Sequence, residues 1–330
     1  MSNWSLGGPK TETLGHDRIY MNLPESLYER LFFKSLLIRR FEERIIDLYP
    51  SDRIQSPVHL SIGQEPIAVG LCEHLGKDDW LYGTYRSHAF YIAKGGDLKK
   101  MMAELYGKVT GGCKGKAGSM HLAAPEVGFM GSSAVVSSSI PHAVGTALAR
   151  KIKGEDSVTV AVFGDGATDE GVYHESLNFA VLHDLPVLFV CENNNLAVHS
   201  YPEARQAFKI SEHAKAYGLP VSVLEDGYSL EAVNDAFKIE VDAVRSRKSP
   251  RLIEAKTFRY YEHVGPGLDF DAGYRQHEDC LAWQKKDSLC NDEERIEKYD
   301  AEVASLIDAA VEFAESSDWP GVDELLMDVL

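Results

Sequence analysis

The stretch Val158-Thr159-Val160-Ala161-Val162-Phe163-Gly164-Asp165-Gly166 runs from unbroken apolar sequence into a carboxylate held between two glycines. A second apolar run, Pro186-Val187-Leu188-Phe189-Val190, ends in the polar group Cys191-Glu192-Asn193-Asn194. Short runs rich in β-branched residues predict buried strands, and the segment between them, from about Asp169 to His183, is long enough for a helix. Strand, helix and strand make a βαβ unit, in which ligands gather at the carboxyl ends of the strands. Both polar clusters stand at such ends.

The alternation continues outward. Apolar residues at Leu27, Leu31, Phe32, Leu36, Leu37, Phe41, Ile45 and Ile46 predict a long amphipathic helix over Pro24 to Tyr49. A second helix is expected from Gly63-Gln64-Glu65 to Leu75, then a short strand over Trp80 to Thr84. Residues Gly107 to Ser139 are rich in glycine and serine and read as one long irregular region. Such a loop in a compact domain suits either a close approach to a ligand or a flexible connection. Beyond it come a helix over Pro141 to Lys153, the βαβ unit, a strand over Val221 to Leu224, a helix over Leu230 to Val244 and a strand over Leu252 to Phe258. The expected fold is α/β, a mostly parallel doubly wound sheet with helical N- and C-terminal extensions. Its expected divisions are a tail over 1–22, the ligand-binding domain over 23–290 and an acidic helical arm over 291–330.

Composition excludes several classes of function. With 330 residues, 44% hydrophobic and 26% charged, the chain is long enough and apolar enough for a sizeable core. A formal charge of -17 makes it a poor binder of nucleic acid, which needs Lys and Arg against phosphates, and of anionic membrane surfaces. No window approaches the roughly 18 consecutive apolar residues of a membrane span, and Met1 to Lys10 has no long apolar stretch, so a cytoplasmic location is expected. Cys72, Cys113, Cys191, Cys280 and Cys290 are odd in number and contain no CxxC pair, which predicts reduced thiols.

If Asp165 and Asn194 converge at adjacent strand ends, they offer one carboxylate and one amide oxygen. These are hard ligands, suited to magnesium or calcium. Magnesium seldom takes all six oxygens from protein and commonly shares phosphate oxygens, so a phosphate ligand is implied. A carboxylate beside a diphosphate needs a divalent cation between them. Gly164 and Gly166 allow a close backbone approach, and the following helix offers free N–H groups. Taken alone, Gly-Asp-Gly favours a plain turn and the asparagine run a polar loop; together at strand ends they do not. Other phosphate motifs fail: a G-x-G-x-x-G fingerprint meets Asp169 at its third position, and Gly112 to Ser119 does not supply G-x-x-x-x-G-K-[ST].

The spacing Gly164-Asp165-Gly166, 26 residues, then Asn193-Asn194 resembles the thiamine diphosphate motif. The segments His59-Leu60-Ser61-Ile62-Gly63-Gln64-Glu65, Thr84-Tyr85-Arg86-Ser87-His88, Gly111 to His121 and Cys191 to Asn194 are similar, in order, to the α subunit of the decarboxylating component of 2-oxo acid dehydrogenases and acetoin dehydrogenase. The resemblance implies that Tyr85 and Arg86 contact the diphosphate, which suits the planar guanidinium fork. It implies further cofactor contacts from Ala134, Val136, Gly164, Asp165, Gly166, Ala167, Asn194, Leu196 and His263. Magnesium would be held by Asp165, Asn194 and the main-chain carbonyl of Leu196. His59 and His263 match two active-site histidines; His88 and His121 lie in matched segments but suit structural roles equally.

The implied reaction is decarboxylation of a 2-oxo acid on thiamine diphosphate with transfer of the acyl fragment to an acceptor. The glutamate that activates the aminopyrimidine would come from a separate β subunit carrying the pyrimidine-binding domain, in an α2β2 assembly, with a lipoyl acyltransferase as a further partner. Two departures stand out. Where pyruvate-type relatives read His-Gly-His-Ser, this sequence reads Tyr261-Glu262-His263-Val264. Val264 has no hydroxyl to phosphorylate, and the change is expected to add a carboxylate and a phenol beside the substrate channel. Ser137-Ser138-Ser139 replaces the Thr-Gln of a potassium site, leaving a monovalent cation or ordinary loop serines as alternatives. Two other readings stay open: a carboligase or acyltransferase acting on a carbonyl acceptor without a lipoyl complex, and a non-catalytic α/β scaffold.

Overall fold

In the computed structural model, which describes residues 23–327, a long helix α1 (Leu27–Leu48) leads into α2 (Glu65–Cys72), β1 (Trp80–Thr84), α3 (His88–Ala93) and α4 (Leu98–Leu105). There follow β2 (Phe129–Ser133), α5 (Ser139–Lys153), β3 (Thr159–Gly164), α6 (Gly171–Leu182), β4 (Val187–Asn193), α7 (Ile210–Ala216) and β5 (Val221–Leu224). The chain continues through α8 (Leu230–Arg247), β6 (Arg251–Lys256), α9 (His277–Gln284), α10 (Ser288–Asn291) and α11 (Glu293–Ser316). The expected tail over 1–22 lies outside the described residues. Among the described residues no helix is long and apolar enough to cross a membrane.

The strands form one sheet in the order β2-β1-β3-β4-β6-β5, and every pairing is parallel. Parallel strands need crossover helices, so both faces are covered and the central strands read as continuous apolar runs. Side-chain alternation then divides the core in two. Val160 and Val162 of β3 with Leu188 and Val190 of β4 face a layer built on α1, α2 and α8. Ala161, Phe163, Phe189 and Cys191 face a second layer built on α5 and α6. The doubly wound sheet expected from the sequence is observed.

Three expectations about elements need correction. The irregular region over 107–139 contains β2, an edge strand paired with β1 (Leu81 opposite Phe129, Thr84 opposite Ser133) through a register shift after Leu81, so it is not irregular throughout. Its glycine and serines give it little strand propensity, and pairing supplies what the residues do not. The helix α2 stops at Cys72 rather than Leu75. The helices α3, α4 and α7 were not anticipated; α4 is fixed at its start by Asp97, whose carboxylate accepts from the backbone N–H of Lys99 at 2.8 Å and Lys100 at 3.2 Å.

Candidate active site

The register places Gly164 opposite Glu192, so Asp165 and Asn194 emerge at neighbouring carboxyl ends of β3 and β4. From β1 the chain turns toward β2 and from β3 toward β4, so the sheet changes direction between β1 and β3. Crevices for ligands form at such switch points. A cleft of about 240 Å³ opens there. Tyr85 and Arg86 reach it from β1, and Gly164, Asp165, Gly166 and Ala167 from β3. Asn194 and Leu196 follow β4, and Val136 and His263 come from loops. Ala134 does not line it, although its neighbours Ser133 and Val135 do. A side chain at Gly166 would meet Ala197 Cβ at 2.7 Å, which explains the glycine there.

The carboxylate of Asp165 is 1% exposed and pairs with the guanidinium of Arg205, which also reaches Asp169. Burial pushes Asp165 up to about 6 and outweighs the attraction of Arg205. A carboxylate taken out of water in this way needs a cation, and Arg205 is the chain's own stand-in for one. The donors beside it are oxygens. Asn194 Oδ1 accepts from the backbone N–H of Leu196 at 3.1 Å, while Asn194 Nδ2 donates to Gln64 Oε1 at 2.9 Å. The set Asp165, Asn194 and Leu196 therefore fits a hard divalent cation. Asn193 turns the other way and donates to Glu254 at 2.7 Å.

Arg86 donates to the carbonyl of Leu60 and, at 3.2 Å, to that of His263, tying together the segments that carry the two active-site histidine candidates. The guanidinium retains further N–H groups for an anion. His59 stands just behind the cleft, with ring centroids 4.4 Å from Tyr85 and 5.1 Å from His263. Burial, reinforced by Arg86, holds both imidazoles down to about 3, so both are neutral near pH 7. The Nδ1 of His59 is buried without a partner, the state of a group awaiting a ligand. His88 is structural: its Nδ1 lies 3.0 Å from Glu42 and its Nε2 2.7 Å from Ser119, all buried. His121 is exposed and does not line the cleft.

The glycine-rich segment 111–118 does not approach the cleft. It wraps the buried carboxylate of Glu104, which accepts from the backbone N–H groups of Cys113, Gly115, Ala117 and Gly118. The expected carboxylate beside the substrate channel is absent too. Glu262 closes its own loop by accepting from Gly267 N at 2.8 Å, and Tyr261 packs on the core, so of the departing segment only His263 reaches the cleft. The hydroxyls of Ser137, Ser138 and Ser139 all donate to backbone carbonyls, as loop serines do. The sequence reading missed Gln64, Glu192 and Arg205. Glu192 alternates with Leu188 and Val190, so strand period alone puts it on the Gln64 side of the sheet; Arg205 carries no local signal.

Comparison with known proteins points one way. The sequence profile of the dehydrogenase E1 component family matches residues 33–323. The α subunit of acetoin:2,6-dichlorophenolindophenol oxidoreductase from Bacillus subtilis is 37% identical, over 94% of this chain and 95% of its own. The pyruvate dehydrogenase E1 component α subunit of Zymomonas mobilis is 36% identical, over 93% of this chain and 89% of its own. A crystal structure of transketolase from Campylobacter jejuni shares the fold, with a TM-score of 0.52 at 19% identity over 86% of this chain; the chain spans about half, 49%, of that protein.

Proposed function

The chain belongs to the dehydrogenase E1 component family, and from that premise we propose that its cleft anchors magnesium and thiamine diphosphate for the decarboxylation of a 2-oxo acid. It is the α subunit of a thiamine diphosphate-dependent oxidoreductase of the 2-oxo acid or acetoin dehydrogenase type, and a β subunit is its partner. The observation that carries the site assignment is the convergence of Asp165, Asn194 and Leu196 with Tyr85, Arg86 and His263 on one cleft at the switch point of the sheet.

Thiamine diphosphate, if held there, would supply carbanion and electron-sink chemistry for decarboxylation. The protein's part is to hold and to shield. Asp165, Asn194 Oδ1 and the carbonyl of Leu196 would hold the cation that offsets the diphosphate. Arg86 and Tyr85 would orient the diphosphate, with the backbone of Gly164, Gly166 and Ala167 close by and Val136 as an apolar contact. Neutral His59 and His263 would offer N–H groups to the substrate carboxylate at the reacting end.

Val135, Val136 and Val198 line the cleft and are exposed. An exposed apolar rim supports a site closed by the β subunit, which would bring the pyrimidine-binding domain in an α2β2 assembly. A lipoyl acyltransferase would be the further partner, its lipoyl disulfide the acceptor of the acyl group and of two electrons. The test is titration of thiamine diphosphate into the chain co-expressed with its β subunit, with and without magnesium, followed by turnover of 2-oxo acids with lipoyl and aldehyde acceptors. Magnesium-dependent binding and lipoyl-dependent turnover are expected; magnesium-independent binding would sink the anchor, and turnover with aldehydes alone would sink the lipoyl partner.

A further inference from the structure

We propose that Glu192 and Gln64 are positioning residues that decide which end of the Asn194 side-chain amide faces the cation; this rests on the reading of Asp165, Asn194 and Leu196 as the magnesium anchor. An asparagine amide has an oxygen end and an NH2 end of nearly equal size, and only the oxygen ligates a cation. Half a turn about the last side-chain bond exchanges the two with little steric penalty. The choice must therefore come from hydrogen-bond partners.

Asn194 Nδ2 donates to Gln64 Oε1 at 2.9 Å. Gln64 is itself an amide with the same ambiguity, and its Nε2 donates to Glu192 Oε1 at 3.3 Å. Glu192 Oε1 is the acceptor in that contact, which sets this end of the chain. Its polarity then runs one way: Glu192 turns the NH2 of Gln64 toward itself, the oxygen of Gln64 takes the NH2 of Asn194, and Asn194 Oδ1 is left on the Leu196 side. There the backbone N–H of Leu196 meets it at 3.1 Å, in agreement with the same orientation. The reversed chain would set the NH2 of Asn194 against that N–H and against any cation.

Gln64 is 1% and Glu192 5% exposed, so no bulk water compensates a wrong orientation. Arg86 faces Glu192 but directs its hydrogen bonds to Leu60 and His263, which leaves the carboxyl to Gln64.

The test uses the full chain with its β subunit. Magnesium affinity is measured by calorimetry at saturating thiamine diphosphate, together with the melting temperature of the cofactor-free complex. Gln64→Leu breaks the chain and is expected to weaken magnesium binding about 10- to 100-fold, the usual effect of removing a group that orients a metal ligand. Glu192→Gln permits both polarities and is expected to lose less. The double substitution Gln64→Glu with Glu192→Gln puts the acceptor in the middle, where it takes N–H groups from Asn194 and from position 192. It is isosteric, and magnesium affinity is expected to return to within about 3-fold of the native complex. Native magnesium affinity in Gln64→Leu, or a double variant no tighter than Gln64→Leu at an unchanged melting temperature, would overturn the inference. A native complex that binds thiamine diphosphate equally without magnesium would instead overturn the anchor on which it rests.

Discussion

Two imidazoles packed against a guanidinium resist protonation, and this gives the molecule a definite response to acid. His59 and His263 sit at about 3 in the folded chain against an ordinary value near 6.5. Between those values the unfolded chain binds more protons, so this contribution to stability is present above pH 6.5 and is lost as pH falls toward 3. The melting temperature is expected to drop from pH 7.5 to pH 5, and less steeply in a His59→Phe, His263→Phe double variant; an identical slope in the two proteins would refute the assignment. Asp165 behaves in the opposite sense, since burial raises it to about 6. Proton and cation compete for it, so magnesium-dependent cofactor affinity should weaken as pH drops through 6. Titrations at pH 7.5 and 5.5 read this directly, and Asp165→Asn should abolish the magnesium dependence at both.

At the level of elements, the strands that carry the site were legible and the loops were not. The apolar runs ending at Gly164 and Asn193 announce β3 and β4 because burial on both faces demands unbroken apolar sequence. The glycines at 111–118 promised a ligand loop with equal force, yet their partner is Glu104, distant in the chain from the cleft. No sequence period reports that a carboxylate will be wrapped by backbone N–H groups. Glu104→Ala removes the shared acceptor of four part-buried N–H groups, so a loss of about 2 kcal/mol is expected in urea unfolding, with faster amide exchange over 113–118. Thiamine diphosphate affinity should stay near native, because this loop does not line the cleft. A collapse of cofactor binding without loss of stability would contradict the separation.

Across the whole molecule, distant segments are locked by buried charge. Arg39 of α1 pairs with Glu65 of α2 and, at 2.9 Å, with Asp287 before α10, all nearly inaccessible. Removing the cation from such a cluster leaves two buried carboxylates, so Arg39→Met should lower stability by about 3–5 kcal/mol in chemical denaturation. The helix α11 buries Val303, Ile307, Ala310 and Ala314 in the core layer that also holds α1 and α4, so the C-terminal segment is part of the body. The exposed valines at the cleft mouth mark the surface we assign to the β subunit. Val135→Asp with Val198→Asp should reduce co-purification of the β subunit while leaving the melting temperature of the isolated chain near native; full recovery of the complex would contradict that surface.

The sequence by itself determined the parallel doubly wound sheet and the placing of Asp165 and Asn194 at its strand ends, while the cofactor class came from the resemblance of its motifs to a known family. Strand burial and cation chemistry both act through residue type and spacing, which one chain displays without folding. Tertiary structure alone decided that Arg205 sits on Asp165, that Gln64 and Glu192 stand behind Asn194, and that Glu262 turns back on its own loop. Those outcomes depend on which distant polar groups meet once water is excluded, and hydrogen-bond partners between remote segments leave no periodic trace in the sequence.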